Sequence, residues 1–257
     1  MILAIDVGNT NTVLGCFQGG RLLFTLRIRT DRDKTADEYA LLFEGLLARE
    51  KTSPADIEGG ILASVVPELK TVMAEAMRDL TGKDFLVVGS GIKTGLNIRM
   101  DNPAQLGADL VVDAVAALSK YDPPLAIFDM GTATTMSVID KDGCYIGGLI
   151  IPGLRLSVDA LSARAAQLPY IHLGAPERLI GTNTVSCMQA GAIYSNAAML
   201  DGLSQRVEEE LGQPVTVVAT GGLMGTVLPF CKRPIQYDEN LMLEGLRILY
   251  EKNHRTK

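Results

Sequence analysis

The chain carries Ile5-Asp6-Val7-Gly8-Asn9-Thr10-Asn11-Thr12 near its start, and a second stretch in its middle echoes it, Phe128-Asp129-Met130-Gly131-Thr132-Ala133-Thr134-Thr135. When the stretches are aligned, three positions coincide, namely Asp6 with Asp129, Gly8 with Gly131 and Thr12 with Thr135. An apolar run precedes each aspartate, which is typical of a buried strand that ends at a carboxylate. Glycine lets the backbone approach a ligand closely because it has no Cβ. We therefore predict two strand–turn–strand units that bind ligand at their turns.

The order of predicted strands and helices also repeats along the chain. Three strands at 2–7, 11–18 and 21–29 precede a helix with a Thr35/Glu38 capping box, and three more at 125–131, 134–140 and 144–151 precede further helices. We expect those later helices near 154–166, 184–211 and 239–252, with a strand at 215–219 between the last two. A further helix is expected from Asn102-Pro103 to about Lys120.

This organisation indicates a duplicated fold with a nucleotide between facing lobes. It is the pattern of the actin, hexokinase and acetate-kinase superfamily. The predicted fold class is α/β, a duplicated ribonuclease H-like (actin/hexokinase-type) two-lobed fold with mixed sheets flanked by helices. The Pro123-Pro124 break sets the expected boundary between an N-terminal lobe of residues 1–122 and a C-terminal lobe of residues 123–257.

Composition narrows the possible function. The 257 residues are 47% hydrophobic and 21% charged, with a net charge of −6, so disorder and a general attraction to nucleic acid or anionic membrane are both disfavoured. No apolar run approaches the roughly 18 residues that a membrane span needs, and no leader-like pattern precedes the first strand. We expect a cytoplasmic protein that binds neither nucleic acid nor membrane.

Three segments carry residues suited to phosphoryl transfer. In the first turn, Gly8 to Asn11 would offer N–H and side-chain donors to phosphate, and Asp6 would hold Mg²⁺ through water. In the second, Asp129 lies among threonines in an oxygen-rich setting suited to a cation, and Thr132 would meet a terminal phosphate. The structural alternatives are a polar hairpin turn and an aspartate that caps neighbouring N–H groups.

The third segment is Asn102 to Asp109. Gly107 and Ala108 would leave room for a substrate, and Asp109 would accept the proton of a hydroxyl that attacks the γ-phosphate. The alternative is an ordinary first-turn helix residue. Two further segments are weaker candidates: Gly181 to Thr184 indicates a helix N-cap or a ligand contact by Thr184, and Thr220 to Gly222 indicates a nucleotide-side turn or a loop.

Taken together, these motifs resemble the type III pantothenate kinases along nearly the whole chain. The quoted segments are Asp6 to Thr10, Arg29 to Glu38, Ser64 to Pro67, Asn102 to Asp109, Asp129 to Thr135, Gly148 to Gly153 and Gly181 to Gly191. The resemblance implies a homodimeric enzyme that phosphorylates pantothenate with ATP and Mg²⁺, the first step toward coenzyme A. It also implies a substrate site near the subunit interface.

The resemblance assigns roles to individual positions. The ATP-binding set is Asp6, Val7, Gly8, Asn9, Thr10, Asn11, Thr12, Val13 and Thr132. The substrate-binding set is Met100, Gly107, Ala108, Asp109, Leu110 and Thr184. Asp109 is the catalytic base, and Asp129 binds a monovalent cation, K⁺ or NH₄⁺.

Two positions depart from the family pattern. Leu110 stands where an arginine is usual, and Met100 or Asp101 stands where a tyrosine is frequent. Because arginine is suited to hold an anionic substrate and leucine is not, three outcomes remain open. A neighbouring cation such as Arg99 compensates, the enzyme phosphorylates another small hydroxylated acceptor, or the chain is a non-catalytic or regulatory nucleotide-binding relative.

Overall fold

A computed structural model describes residues 1–254, and these residues form two compact units. The first unit contains Met1–Leu96, Asn102–Ala116 and the segment that begins at Leu241, whereas the second contains Asn97–Asp101 and Ala117–Asn240. Both units are discontinuous in sequence, so their residues differ from the expected ranges 1–122 and 123–257. The division into those two lobes stays a prediction.

The elements alternate between strands and helices along the chain. Within residues 1–254 the strands are β1 (Ile2–Val7), β2 (Asn11–Gln18), β3 (Arg21–Arg29), β4 (Gly59–Ser64), β5 (Leu86–Val87), β6 (Asn97–Ile98), β7 (Leu125–Met130), β8 (Ala133–Ile139), β9 (Cys144–Pro152), β10 (Thr216–Thr220) and β11 (Gln236–Tyr237). The helices are α1 (Ala36–Arg49), α2 (Pro67–Thr81), α3 (Ala108–Lys120), α4 (Leu154–Arg164), α5 (Thr184–Leu211), α6 (Met224–Val227) and α7 (Leu241–His254). None of the described helices, α5 included, is both long and apolar enough to cross a membrane.

The sheet of the first unit has the strand order β3-β2-β1-β4-β5. Neighbours β1, β2 and β3 run antiparallel, whereas β4 is parallel to β1 and β5 is parallel to β4. Alternate residues of β1 face opposite sides, because side chains along a strand have a period of two. Leu3, Ile5 and Val7 pack with α1 and α2, whereas Ala4 packs with Val112 of α3 and with α7.

The sheet of the second unit has the order β11-β10-β7-β8-β9-β6. Strands β7, β8 and β9 are antiparallel, and β10 and β11 run parallel to β7, so five strands repeat the order and directions of the first sheet. Strand β6 is an addition, parallel to β9. Two mixed sheets flanked by helices confirm the predicted duplicated α/β fold.

Most element bounds agree with the sequence, with one clear correction. Strands at 2–7, 11–18 and 21–29 are found as predicted, and both halves of the Thr35/Glu38 capping box are present. The helix expected from Asn102 begins only at Ala108. A 3-10 turn at Pro103–Gln105 and an extended Leu106 intervene, so the proline starts a turn and not the helix.

Candidate active site

The first turn joins β1 to β2 and presents polar groups outward. The Gly8 N–H donates to the Asn11 carbonyl oxygen at 3.0 Å, which closes a tight turn. Asn9, Thr10 and Asn11 are exposed, and Asp6 is partly buried at the end of β1. Exposed amide and hydroxyl groups beside a strand-end carboxylate suit a ligand that carries phosphate and a metal ion.

Thr30, which follows β3, stabilises this turn through two hydrogen bonds. Its N–H donates to the Thr10 carbonyl at 3.0 Å, and its hydroxyl donates to the Gly8 carbonyl at 2.7 Å. The hydroxyl of Thr12 lies 3.0 Å from that of Thr30, and Thr12 is 1% exposed. The Thr12 hydroxyl therefore holds the turn. Val7 is fully buried in the core, so its side chain likewise faces the protein interior.

Arg32 is a residue at this turn that sequence reasoning missed. Its Nη2 donates to Asn9 Oδ1 at 2.9 Å, and its Nη1 lies 3.4 Å from Glu68 Oε1. The pairing of Asn11 with Arg29 brings the chain that follows β3 back to the turn. No local motif signals the contact, because it depends on the register between β2 and β3.

The segment that carries Arg32 is fixed by Tyr39 of α1. The buried Tyr39 hydroxyl donates to the Asp31 carbonyl at 2.6 Å and accepts from the Asp31 N–H at 3.0 Å. Burial raises the pKa of Tyr39, and the hydrogen bond from Lys34 lowers the pKa of Asp31. At neutral pH the phenol is therefore protonated and can donate to the Asp31 carbonyl, and the Asp31 carboxylate is charged and accepts from Lys34 Nζ at 2.8 Å.

Asp109 lies in the first turn of α3 and is partly buried. A Cβ on Gly107 would stand 2.4 Å from Asp109 Oδ1, so the glycine makes room for this carboxylate. The Gly107 carbonyl accepts the first helical bond, from the Val111 N–H at 3.2 Å. Leu110 is also partly buried, and Ala108 packs against the core. The unit that holds the first turn thus also holds Asp109.

The second turn, in the other unit, is built around Asp129 of β7. Two glycines lie close to its carboxylate: a Cβ on Gly221 would stand 2.7 Å from Oδ1, and one on Gly131 3.7 Å from Oδ2. Gly221 also has φ +98°, a conformation that favours glycine. It follows β10, whose Thr220 pairs with Asp129. The turn after β10 therefore adjoins Asp129, and Thr132 is exposed nearby in sequence.

The two turns differ in length, which corrects the alignment of Thr12 with Thr135. Val7 pairs with Thr12 across the first hairpin, whereas Met130 pairs with Thr134 across the second. Four residues separate the first pair and three the second, so Thr134 is the counterpart of Thr12. An ungapped alignment of the two stretches cannot show that the second turn is one residue shorter than the first.

A cavity of ≈ 960 Å³ lies wholly within the second unit. The end of β9, α4, the segment at 181–183 and the first half of α5 line it. Thr184 is exposed there as the first residue of α5, and Asn183 is the N-cap, with its Oδ1 accepting from the Ser186 N–H at 2.9 Å. The predicted N-cap is confirmed, and the volume falls in the range of about 300–1,000 Å³ typical of small-molecule sites.

The residues before the Asn-Pro segment belong to the second unit as well. Met100 is partly buried, and Arg99 pairs through Nη1 with Asp140 Oδ2 at 3.2 Å. The Asp140 side chain is 16% exposed, so this carboxylate already balances the charge of Arg99. Within residues 1–254 no group of three or more His, Cys, Asp and Glu side chains is placed to hold a metal ion by itself.

Comparison of the sequence with those of known proteins identifies one matching family. The family model described as type III pantothenate kinase matches residues 2–206. A type III pantothenate kinase of Moorella thermoacetica is 47% identical over 98% of this chain and 100% of its own length. One from an Exiguobacterium species is 46% identical over 99% of this chain and 100% of its own.

Solved structures confirm the fold class. An inorganic polyphosphate/ATP-glucomannokinase from Arthrobacter superposes with a TM-score of 0.52 at 16% identity, covering 98% of each chain. At that identity the likeness concerns the fold alone, and it supports the actin/hexokinase-type architecture. The sequence relatives decide the family: this chain belongs to the type III pantothenate kinases.

Proposed function

We propose that this chain transfers the γ-phosphate of ATP to the hydroxyl of pantothenate, giving 4'-phosphopantothenate, the first step of coenzyme A biosynthesis. The observation that carries the proposal is the 47% identity to a type III pantothenate kinase over nearly the full chain. The aspartates of all three motifs, Asp6, Asp109 and Asp129, are present as well.

In the proposed reaction the acceptor oxygen attacks the γ-phosphorus, and the bond to the β–γ bridging oxygen breaks. ADP leaves with the electron pair of that bond, and the proton of the hydroxyl passes to the Asp109 carboxylate. Phosphoryl transfer depends mainly on positioning and on charge neutralisation, so one carboxylate base is sufficient. Gly107 leaves room for that carboxylate, because a side chain at 107 would displace it.

The two turns would supply the charge neutralisation. Asn9, Thr10 and Asn11 would donate to ATP phosphate oxygens, and Asp6 would hold Mg²⁺ through water, since its oxygen donors suit a hard cation. Asp129 would hold K⁺ or NH₄⁺ through its carboxylate, which Gly221 and Gly131 can approach closely because they have no Cβ. When bound, these ions neutralise phosphate charge, and Thr132 would contact the nucleotide.

We also propose that the protein is a cytoplasmic homodimer that associates through its second unit. Large apolar side chains are exposed there on β9, on α4, on the segment before α5 and on α5 itself, namely Leu149, Ile150, Leu156, Leu161, Tyr170, Leu179, Ile180 and Val185. A concentration of such side chains is typical of a protein–protein interface. Light scattering tests this proposal: the mass of two chains is expected, and the mass of one would contradict it.

Asp109→Asn tests the catalytic role, with Asp37→Asn as a matched control. Asp37 occupies the same position in the first turn of α1, so both variants lose the same favourable interaction with the helix dipole. We expect Asp109→Asn to lower kcat by at least about 100-fold with little change in ATP affinity, measured by calorimetry. Asp37→Asn should keep its activity.

An unchanged kcat in Asp109→Asn would remove Asp109 as the base. If the unsubstituted chain binds ATP but phosphorylates neither pantothenate nor any other small hydroxylated acceptor, the proposal fails. The reading as a non-catalytic relative would then replace it.

A further inference from the structure

The lining of the cavity in the second unit lacks the positive charge that an anionic acceptor requires. Among the described residues that line it, none is charged: its polar side chains are Ser157, Thr182, Asn183, Thr184, Ser195 and Asn196, and the others are apolar or glycine. Such a lining suits hydroxyl and amide groups. It does not balance a carboxylate, which is costly to move out of water without a positive partner.

Arg178 lies next to this lining. Its Nη2 donates to Thr182 Oγ1 at 2.9 Å, and Thr182 lines the cavity. The hydroxyl is neutral, and in the part of the chain that the structure describes no carboxylate lies within ion-pair distance of Arg178. This arginine therefore differs from Arg99, whose charge Asp140 balances.

We propose that Arg178 binds the carboxylate of the acceptor and so supplies the positive charge that Leu110 does not. A guanidinium has five N–H donors in a planar fork, and the bond to Thr182 occupies only one of them. That bond holds the guanidinium beside Thr182, two residues before Thr184. The inference rests on the proposed function, because only an anionic acceptor requires a cation at this position.

Arg178→Gln tests the inference when it is assayed with two acceptors. One is pantothenate, and the other is the same molecule with a primary amide in place of the carboxylate. We expect the KM for pantothenate to rise about tenfold, with kcat nearly constant, because a rim contact to a charged group is lost. The KM for the amide should change by less than about twofold.

Two further variants serve as references. Arg178→Lys keeps the charge without the fork. Its KM for pantothenate should therefore lie between those of the unsubstituted chain and of Arg178→Gln. Arg206→Gln removes the same charge from an exposed position far along α5 and should leave both KM values unchanged.

The outcomes separate the inference from the proposed function. An equal rise of KM for both acceptors would show that Arg178 only shapes the segment at 181–184, and no rise for either would show that it contacts no acceptor. Each result overturns the inference while the kinase activity stands. Absence of pantothenate turnover in the unsubstituted chain would instead overturn the proposed function, and the inference with it.

Discussion

The hairpins β1–β2 and β7–β8 occupy the same place in two sheets of the same strand order, yet they are built differently. The first has the longer turn, and three exposed polar residues with Arg32 beside them. The second has the shorter turn, and its aspartate faces two glycines. The comparison shows how one motif, repeated within one chain, presents exposed amide and hydroxyl groups at one turn and a carboxylate closely approached by glycines at the other.

The buried threonines at the two hairpins show the same difference. Thr12 shares a hydrogen bond with Thr30, which braces the first turn. Thr134 is fully buried, and its hydroxyl has no hydrogen-bond partner among the described residues. The first turn is therefore braced through its threonine, whereas Thr134 supplies no such hydrogen bond to the second turn in the described structure.

The largest expected effect comes from placing a Cβ beside Asp129, where the structure has no room for one. In Gly221→Ala the new Cβ would stand 2.7 Å from Asp129 Oδ1 and 2.6 Å from the Met130 nitrogen, at a φ of +98°. We expect kcat/KM to fall by at least about 100-fold and the free energy of unfolding by about 2 kcal/mol, measured by ADP release and urea unfolding.

Gly225→Ala is the matched control, because a Cβ at Gly225 meets nothing within 4 Å. In the corresponding variant of the first hairpin, Gly8→Ala, the new Cβ would meet only the Asn11 carbonyl oxygen, at 3.0 Å. The losses of kcat/KM and of unfolding free energy should therefore be smaller. Equal losses in Gly221→Ala and Gly225→Ala would contradict the crowding argument.

Exchange of the two aspartates for asparagine should separate their roles. Asp129→Asn is expected to lower activity about tenfold or more and to abolish the difference between potassium and sodium, because the proposed cation would lose its charged ligand. Asp6→Asn should keep the preference for potassium and raise the Mg²⁺ concentration needed for half-maximal rate. Activity titrations with each ion measure both effects, and loss of potassium stimulation in Asp6→Asn alone would reverse the assignment.

The smallest expected effect concerns stability and has opposite signs at the two threonines. Thr12→Val removes a satisfied hydroxyl and should lower the free energy of unfolding by about 1 kcal/mol. Thr134→Val removes a buried hydroxyl without a partner in the described structure, so it should be neutral or raise that free energy by up to about 1 kcal/mol. Urea unfolding measures both, and a clear loss in Thr134→Val would show that its hydroxyl is satisfied.

Sequence alone predicted the features whose signal is local. The Asp-x-Gly turns, the alternating strands and the capping box at Thr35 each depend on a few neighbouring residues, and all are found. The approach of Gly221 to Asp129 and of Arg32 to Asn9 was not predicted. The first depends on the pairing of β10 with β7 and the second on the register between β2 and β3, and no short motif records such pairing.

Gly107 shows a second limit. Its small size suggested room for a substrate, which stays a prediction, and the structure shows that the same small size makes room for the Asp109 carboxylate. Strands β6 and β11 were not predicted, because each is only two residues long and is too short to show an alternation of apolar and polar side chains.

The most direct test of the central claim is ADP release by the purified protein with ATP, Mg²⁺ and pantothenate, in potassium and again in sodium. The account predicts turnover that requires pantothenate and is faster in potassium. ADP release that is the same with and without pantothenate, from protein that binds ATP, would contradict it.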